Sequence, residues 1–295
     1  NRSSLKNRGY VMNENQTNYN NESITSLKGA DRVRLRPSVI FGSDGLEGCQ
    51  HSIFEILSNS IDEAREGYGS LIEVTRYKDH CICIKDFGRG IPVDYNPKEE
   101  RYNWELVFCE LYAGGKYQNN SGENYEFSLG LNGLGTCATQ YASKYMDAVI
   151  YRDGYRYTLH FEKGENIGGL KKEKIEQSIT GTEIKWLPDR DVFTNIDVPL
   201  SFFQDVLKKQ AIVNAGLTFT LYDEQTDETF TYVYENGIKD YLQELNAEKG
   251  FTEIQYYEQE TRGKDREDKP EYKLKFQIAF CFNNEVNLLE YYHNS

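Results

Sequence analysis

This sequence of 295 residues lacks the features that define several classes of protein. No apolar run approaches the ~20 residues that a membrane-spanning helix needs, and the polar, Asn-rich start has no hydrophobic core typical of a secretory signal. The six cysteines form no CxxC pair and have no metal-ligand spacing with the four histidines. We therefore expect small, buried, reduced cysteines and a cytoplasmic protein.

Basic residues are also scarce. Lys and Arg number 34 against 47 Asp and Glu, which gives a formal net charge of −13. A protein whose main task is to hold DNA carries a basic face, and the small cluster of Arg32, Arg34 and Arg36 is interpreted as an ordinary surface cluster. If the chain works on DNA, we expect it to do so through other domains or subunits.

Hydrophobic periodicity predicts a polar arm followed by a compact α/β unit. Residues 1–30 are rich in Asn and Ser and form the arm. Residues 112–135 are too long for an ordinary connection and indicate a functional or disordered loop. Helices are expected at 51–66, near 104–111 and at 201–214, and strands at 71–77, 80–86, 145–151, 155–162, 182–187, twice within 217–235, and at 272–283 after a charged loop at 258–271.

The helix at 51–66 carries a narrow polar stripe. Glu55, Asn59 and Asp62 are spaced i, i+4, i+7 and therefore share one side of the helix. The opposite side is formed by Ile53, Leu57, Ile61 and Ala64. By itself such a stripe is more typical of a solvated helix face than of a site.

Two glycine-rich segments downstream change this interpretation. Asp86 ends a predicted strand just before Gly88 and Gly90, and glycines let a backbone approach a ligand closely. Residues 128–135 then lead into a helical segment, where free N–H groups can face phosphate oxygens, and Lys116 adds a cation in the same loop. Neither a Walker A motif nor a well-placed dinucleotide fingerprint is present, so phosphate binding must follow another pattern.

The order of these motifs resembles the Bergerat-fold, or GHKL, ATPases. The matching segments are the Glu55, Asn59, Asp62 stripe, residues 86–92, 113–116, 130–135 and 180–182. Residues 54–64, Arg36-Pro37 and 193–195 narrow the resemblance to the gyrase B-subunit and type II topoisomerase branch, from about Tyr19 to the end.

The resemblance implies a fold and a domain organisation. The fold is α/β (α+β), a two-layer sandwich with helices on one face of a mixed, mostly antiparallel sheet. The implied domains are an N-terminal arm at 1–30, an ATPase domain at 31–237 and a partial transducer domain at 238–295.

The resemblance also implies roles for the residues at the reacting end of ATP. Glu55 is the expected general base for the attacking water, with His51 one turn earlier supporting it. Asn59 is expected to give its amide oxygen to Mg²⁺, which prefers oxygen ligands. The phosphates are expected to contact Lys116 and the backbone of Gly130, Leu131, Asn132, Gly133, Leu134 and Gly135.

The resemblance also implies a set of residues that contact the base end of the nucleotide. Asp86 is expected to accept a hydrogen bond from the adenine amino group, because a carboxylate only accepts, and Thr182 is expected to share a water there. Tyr125 is expected to contact the ring. The rim of the pocket is assigned to Arg89, Gly90, Ile91, Pro92 and Arg152, and aminocoumarin-type inhibitors of this family contact such arginines. By itself, Arg152 is equally explained as a surface arginine at a strand end.

The arm and three departures complete the comparison. Tyr19 resembles the tyrosine that reaches the partner's nucleotide when the family's arm wraps a second copy, although a mobile tail is the alternative. Asn132 stands where many gyrases carry His, Ser58 where many carry Asp, and Leu129 replaces a glycine. These departures also fit a divergent paralogue.

The implied activity is ATP hydrolysis coupled to dimerisation, DNA strand passage and supercoiling, together with a gyrase A-type cleavage subunit and double-stranded DNA. One alternative is the B-type component of topoisomerase IV. A non-hydrolysing nucleotide switch is another, although it has no need of Glu55, and a histidine kinase would need a histidine-bearing helix that is not found. The family's γ-phosphate lysine is expected beyond Ser295, so we expect slow turnover and weak dimerisation of this chain.

Overall fold

The computed structural model describes residues 29–111, 135–246, 249–264, 266–268 and 271–292. Its helices are α1 (Asp31–Arg34), α2 (Pro37–Phe41), α3 (Leu46–Arg65), α4 (Asn103–Cys109), α5 (Gly135–Tyr141), α6 (Leu200–Val213) and α7 (Ile238–Asn246). Its strands are β1 (Leu71–Arg76), β2 (Ile82–Asp86), β3 (Tyr95–Asn96), β4 (Arg101–Tyr102), β5 (Ser143–Arg152), β6 (Tyr155–Glu162), β7 (Glu165–Asn166), β8 (Lys171–Lys174), β9 (Gly181–Pro188), β10 (Thr218–Asp223), β11 (Glu228–Tyr232), β12 (Gln255–Gly263) and β13 (Tyr272–Phe280).

Nine of these strands form one sheet. Its order is β11-β10-β1-β2-β9-β5-β6-β7, and β8 pairs with β6 beside this path. The β1–β10 pair is parallel, whereas every other described pair in the sheet is antiparallel. The predicted mixed, mostly antiparallel sheet is therefore confirmed.

Helices α3, α5 and α6 pack against this sheet and enclose the core. Alternate residues of β9 and β5 are buried, as the period of two in a strand requires. Ile82, Trp186 and Met146 lie opposite one another on three adjacent strands, and each is at most 3% exposed. This apolar row and its neighbours form the interior of the predicted two-layer sandwich.

Helix α3 carries the candidate site and is anchored at its start by a close approach. Ile53, Leu57 and Ile61 are almost fully buried, as the predicted helix face requires. Near its first turn, a Cβ on Gly48 would lie 2.0 Å from the carbonyl oxygen of Ser43, so only glycine allows this packing. The contact fixes how α3 leaves the turn that follows α2.

The last described elements are α7 and the β12–β13 hairpin, and here one prediction was wrong. Residues 258–271 were expected to form a charged loop, but Gln255–Gly263 is a strand paired with Tyr272–Phe280. Its charges pair with those of the next strand at 2.8 Å: Lys275 with Glu258 and Lys273 with Glu260. Cross-strand ion pairs explain why such a charged segment is a strand.

Two further features concern membrane-spanning helices and the cysteine side chains. No helix among the described residues is long and apolar enough to cross a membrane. All six cysteines lie in the described ranges and are free thiols. Burial raises the pKa of Cys49 and of Cys83 to about 12, so these two thiols stay protonated at neutral pH.

Candidate functional site

The polar stripe of α3 starts with a paired histidine and carboxylate. Nε2 of His51 lies 3.1 Å from Oε1 of Glu55, and Nδ1 donates to the carbonyl oxygen of Phe41 at 3.1 Å. Since a carbonyl oxygen only accepts, Nδ1 carries a hydrogen, and the second nitrogen faces a carboxylate that also only accepts. This arrangement favours the doubly protonated imidazolium. The hydrogen bond to Glu55 accordingly raises the pKa of His51, although partial burial opposes the shift.

Asn59 lies one turn further along the stripe and contacts a second helix. Its amide nitrogen donates to the carbonyl oxygen of Glu55 at 3.1 Å and to Oγ1 of Thr136 on α5 at 2.9 Å. Both amide hydrogens are thereby used, and no described residue donates to the amide oxygen, which is therefore the end available to a ligand. The third residue of the stripe, Asp62, is only 5% exposed, so the stripe is not a simple solvated face.

Asp86 is the last residue of β2 and a further residue of the candidate site. It is 7% exposed. Its Oδ2 accepts from the hydroxyl of Ser60 at 2.8 Å, and its Oδ1 accepts from the backbone N–H groups of Gly88 at 3.0 Å and Thr182 at 3.2 Å. Burial raises the pKa of this carboxyl, whereas these three donors oppose the shift. The structure thus contains a buried carboxylate that is oriented by donors on three segments.

The segment after β2 lies against the start of β9. Gly181 has a φ of +146°, and a Cβ there would lie 2.2 Å from the carbonyl oxygen of Asp86. Next to it, Oγ1 of Thr182 accepts from the backbone N–H of Ile91 at 3.2 Å. Gly90 is buried and Pro92 is exposed. These contacts bring Thr182, Asp86 and the 88–92 segment together.

Two arginines lie side by side at the rim. Arg89 forms a two-point ion pair with Glu63, at 2.7 and 3.1 Å, and its guanidinium lies 4.0 Å from the ring centre of Tyr68. Arg152 donates to the carbonyl oxygen of Gly90 at 2.8 Å. An open depression is lined by Tyr68, Arg89, Arg152 and others. Arg152 is also the last residue of β5, so its position fits both interpretations, a rim residue and a surface arginine at a strand end.

Most of the expected residues within the described ranges therefore lie around one region. Glu55, His51, Asn59 and Gly135 form the α3–α5 side, and Asp86, Thr182 and the rim segment form the β2–β9 side. The remaining expected residues lie outside the described residues: Tyr19, Lys116, Tyr125, Gly130, Leu131, Asn132, Gly133 and Leu134.

Three residues that contact the site were not singled out from sequence. Ser60 donates to Asp86, Glu63 holds Arg89, and Thr136 accepts from Asn59. Glu63 follows Asp62 directly, so the stripe already pointed to its neighbourhood. Ser60 and Thr136 had no such signal, because small hydroxyl residues are common in helices and their partners are distant in sequence.

Solved structures of known proteins resemble this chain over most of its length. No protein-family model matches the chain. The ATP-binding domain of topoisomerase IV from Francisella tularensis, solved with a small-molecule inhibitor, matches with a TM-score of 0.60 and 30% identity, over 72% of this chain and 98% of that one. The chain belongs to the gyrase B and topoisomerase IV B family.

Two further relatives support this membership. The gyrase B protein of Mycoplasma pneumoniae is 35% identical over 274 residues, which is 91% of this chain and 42% of the relative. The 43K ATPase domain of Thermus thermophilus gyrase B, solved with an aminocoumarin, matches with a TM-score of 0.65 and 27% identity, over 82% of this chain and 60% of that one. The chain thus spans less than half the length of the Mycoplasma protein, and both gyrase and topoisomerase IV are among its relatives.

Proposed function

We propose that this chain binds ATP with Mg²⁺ and hydrolyses it, as the ATPase part of a gyrase B-type topoisomerase protein. The observation that carries this proposal is the buried carboxylate of Asp86, oriented by Ser60, Gly88 and Thr182. A buried carboxylate is unfavourable unless hydrogen bonds compensate for its lost hydration. Its retained acceptor capacity suits a ligand that brings an N–H group.

The base end of the site selects adenine. Carboxylate oxygens only accept, so Asp86 favours a ring with an amino group over one with a carbonyl group at the same place. The Thr182 hydroxyl lies beside it and can hold a water that bridges to the ring. Tyr125 is proposed as a further adenine contact, on the family resemblance alone.

The reacting end uses α3. Glu55 orients and deprotonates the attacking water, and the imidazolium of His51 holds the Glu55 carboxylate in place. Phosphoryl transfer is accelerated mainly by positioning and charge neutralisation, so one oriented carboxylate is sufficient protein chemistry. Proposed phosphate contacts from the resemblance are Lys116 and the backbone of residues 130–135.

The donor set near Glu55 fits Mg²⁺. Asn59 has its amide nitrogen engaged and its oxygen left, and Mg²⁺ prefers oxygen ligands with several supplied by phosphates and water. When bound, Mg²⁺ neutralises charge on the phosphate oxygens. Asn59 would hold it from the protein side.

Assembly and localisation are proposed from the family. We propose a cytoplasmic protein in which ATP binding joins two copies, with Tyr19 of the arm reaching the other copy. Strand passage in double-stranded DNA would need a gyrase A-type cleavage subunit. We propose that the ATPase domain ends near Gly237, where α7 begins, and that aminocoumarins bind at the Arg89–Arg152 rim. Supercoiling by a gyrase and decatenation by a topoisomerase IV both fit the relatives.

Calorimetry with non-hydrolysable analogues tests the proposal. We expect the chain to bind the adenine analogue at least tenfold more tightly than the guanine analogue, about 1.4 kcal/mol. An aminocoumarin should compete with the adenine analogue. Equal affinity for the two analogues would rule out this placement of the base. Phosphate release from ATP with Mg²⁺, absent in EDTA, tests hydrolysis, and binding without any release would favour the non-hydrolysing switch.

A further inference from the structure

The orientation of the Asn59 amide is set by two acceptors on different elements. One is the carbonyl oxygen of Glu55, one turn back on α3, and the other is Oγ1 of Thr136 on α5. A carbonyl oxygen cannot donate, so the amide must turn its nitrogen toward Glu55. The nitrogen has two hydrogens and two acceptors, and the amide oxygen therefore points away from both.

Of these two acceptors, Thr136 receives a hydrogen bond from Asn59 alone among the described residues. The carbonyl oxygen of Glu55 also accepts from the hydroxyl of Ser58 at 3.0 Å. The capacity of this oxygen to accept hydrogen bonds is therefore divided between Ser58 and Asn59. Thr136 lies in the first turn of α5, directly after Gly135, and is 8% exposed. Water has little access to replace its hydroxyl. Without it, one amide hydrogen loses its partner and the amide turns more freely.

We propose that Thr136 is a positioning residue that holds the Asn59 amide oxygen toward Mg²⁺; this inference rests on the proposed Mg²⁺-ATP site. Thr136 acts only through Asn59. Partners that orient a metal ligand typically contribute ~10–100-fold to metal affinity. Removing the Thr136 hydroxyl should therefore weaken the contact between Asn59 and Mg²⁺ while leaving the base pocket intact.

Helix α5 offers a matched control residue. Thr139 lies one turn after Thr136, is 1% exposed, and donates from its hydroxyl to the carbonyl oxygen of Ser52 on α3 at 3.0 Å. Thr136 and Thr139 thus both make an α5–α3 hydrogen bond through the hydroxyl. Of the two, Thr136 contacts Asn59, so Thr139→Val reproduces the packing change without the effect on the amide.

The experiment titrates Mg²⁺ into the chain in the presence of a non-hydrolysable ATP analogue and follows analogue binding by calorimetry. We expect Thr136→Val to raise the Mg²⁺ concentration at half-effect by about tenfold or more, and Thr136→Ser to restore it. Binding of the analogue in EDTA should change by less than about twofold, which corresponds to ~0.4 kcal/mol. Thr139→Val should leave the Mg²⁺ dependence unchanged even if it lowers the melting temperature.

Asn59→Ala distinguishes failure of this inference from failure of the proposed site. If Asn59→Ala raises the Mg²⁺ requirement and Thr136→Val does not, the inference is wrong and the site stands. If Asn59→Ala has no effect, Asn59 is not a metal ligand and the inference is overturned with that assignment. Equal shifts in Thr136→Val and Thr139→Val would assign the effect to packing and also overturn it. Thr136→Ala gives the same readout if Thr136→Val is too unstable.

Discussion

Gly135 packs directly on the side chain of Glu55. A Cβ on Gly135 would lie 2.1 Å from Oε2 and 2.8 Å from Cβ of Glu55. Helix α5 therefore begins at a point where a larger residue would collide with the proposed general base. The absence of a side chain at Gly135 leaves the space that the Glu55 side chain occupies.

Gly135→Ala should consequently damage chemistry more than binding. The added methyl group must push Glu55 or α5 aside, and misplacing a reacting group by ~1 Å can reduce the rate ~10²-fold. We expect at least that loss in single-turnover phosphate release, with nucleotide affinity reduced less. Gly45→Ala is the control, since its Cβ would come no closer than 3.4 Å to a neighbouring atom. An unchanged rate in Gly135→Ala would contradict the close packing of Gly135 on Glu55.

Glu55→Ala should separate hydrolysis from binding. Asn59 bonds to the backbone carbonyl of Glu55 rather than to its carboxylate, so the amide keeps that bond in the variant. General-base loss costs ~10²–10⁴ in rate, and we expect phosphate release to fall by that amount while analogue binding by calorimetry survives. If both fell together, Glu55 would instead be a structural or metal-organising residue.

Asp86→Asn should fold and yet bind ATP poorly. Gly88 and Thr182 both donate to Oδ1, so the asparagine oxygen must occupy that place and its NH₂ group must take the place of Oδ2. In the proposed site, that group would meet the adenine amino group donor to donor. A mispaired buried polar group costs ~1–3 kcal/mol, so we expect at least a tenfold lower affinity, about 1.4 kcal/mol.

A second buried carboxylate provides the control for Asp86→Asn. Asp223 is 0% exposed and pairs with Arg76 at 2.7 Å, at the end of β10. Asp223→Asn should lower stability without changing ATP affinity. Unchanged affinity in Asp86→Asn, or equal losses in the two variants, would contradict the adenine assignment.

The His51–Glu55 pair should make stability depend on pH. The pKa of His51 is raised in the folded state above its ordinary value of 6.5, first by the hydrogen bond to Glu55. Its contribution is therefore complete below about pH 6.5 and is lost as the pH rises through the folded pKa. Urea unfolding should show the free energy of unfolding falling across that window.

Comparison with Glu55→Gln isolates the His51 contribution. The pKa of His160 is also raised, chiefly by its hydrogen bond to Asp147. The pH dependence of the free energy of unfolding in the wild type therefore combines the contributions of His51 and His160. The slope in the window should decrease in Glu55→Gln, and the NMR midpoint of His51 should move down toward its ordinary value while that of His160 stays. A His51 midpoint at or below 6.5 in the wild type would refute the pairing.

Local patterns predicted much of the fold. The period of α3 placed Ile53, Leu57 and Ile61 in the core correctly, and alternation located β5, β6 and β9 within a few residues. Alternation was hidden in β12, where charges that pair across the hairpin resemble a loop. Helix α7 had no counterpart among the predicted elements.

The kinds of chemical group available to this protein could be predicted from its residues alone. The spacing of Glu55 and Asn59 on one helix side, and the carboxylate of Asp86 before glycines, follow from covalent order and helix geometry. Tertiary packing sets which atoms of those groups are engaged by protein partners and which stay available to a ligand. Thr136 accepts a hydrogen bond from the Asn59 amide nitrogen, and Ser60 donates one to Asp86. Gly135 packs against the side chain of Glu55. Those contacts join segments far apart in the chain, and their geometry exists only after helices and sheet have packed.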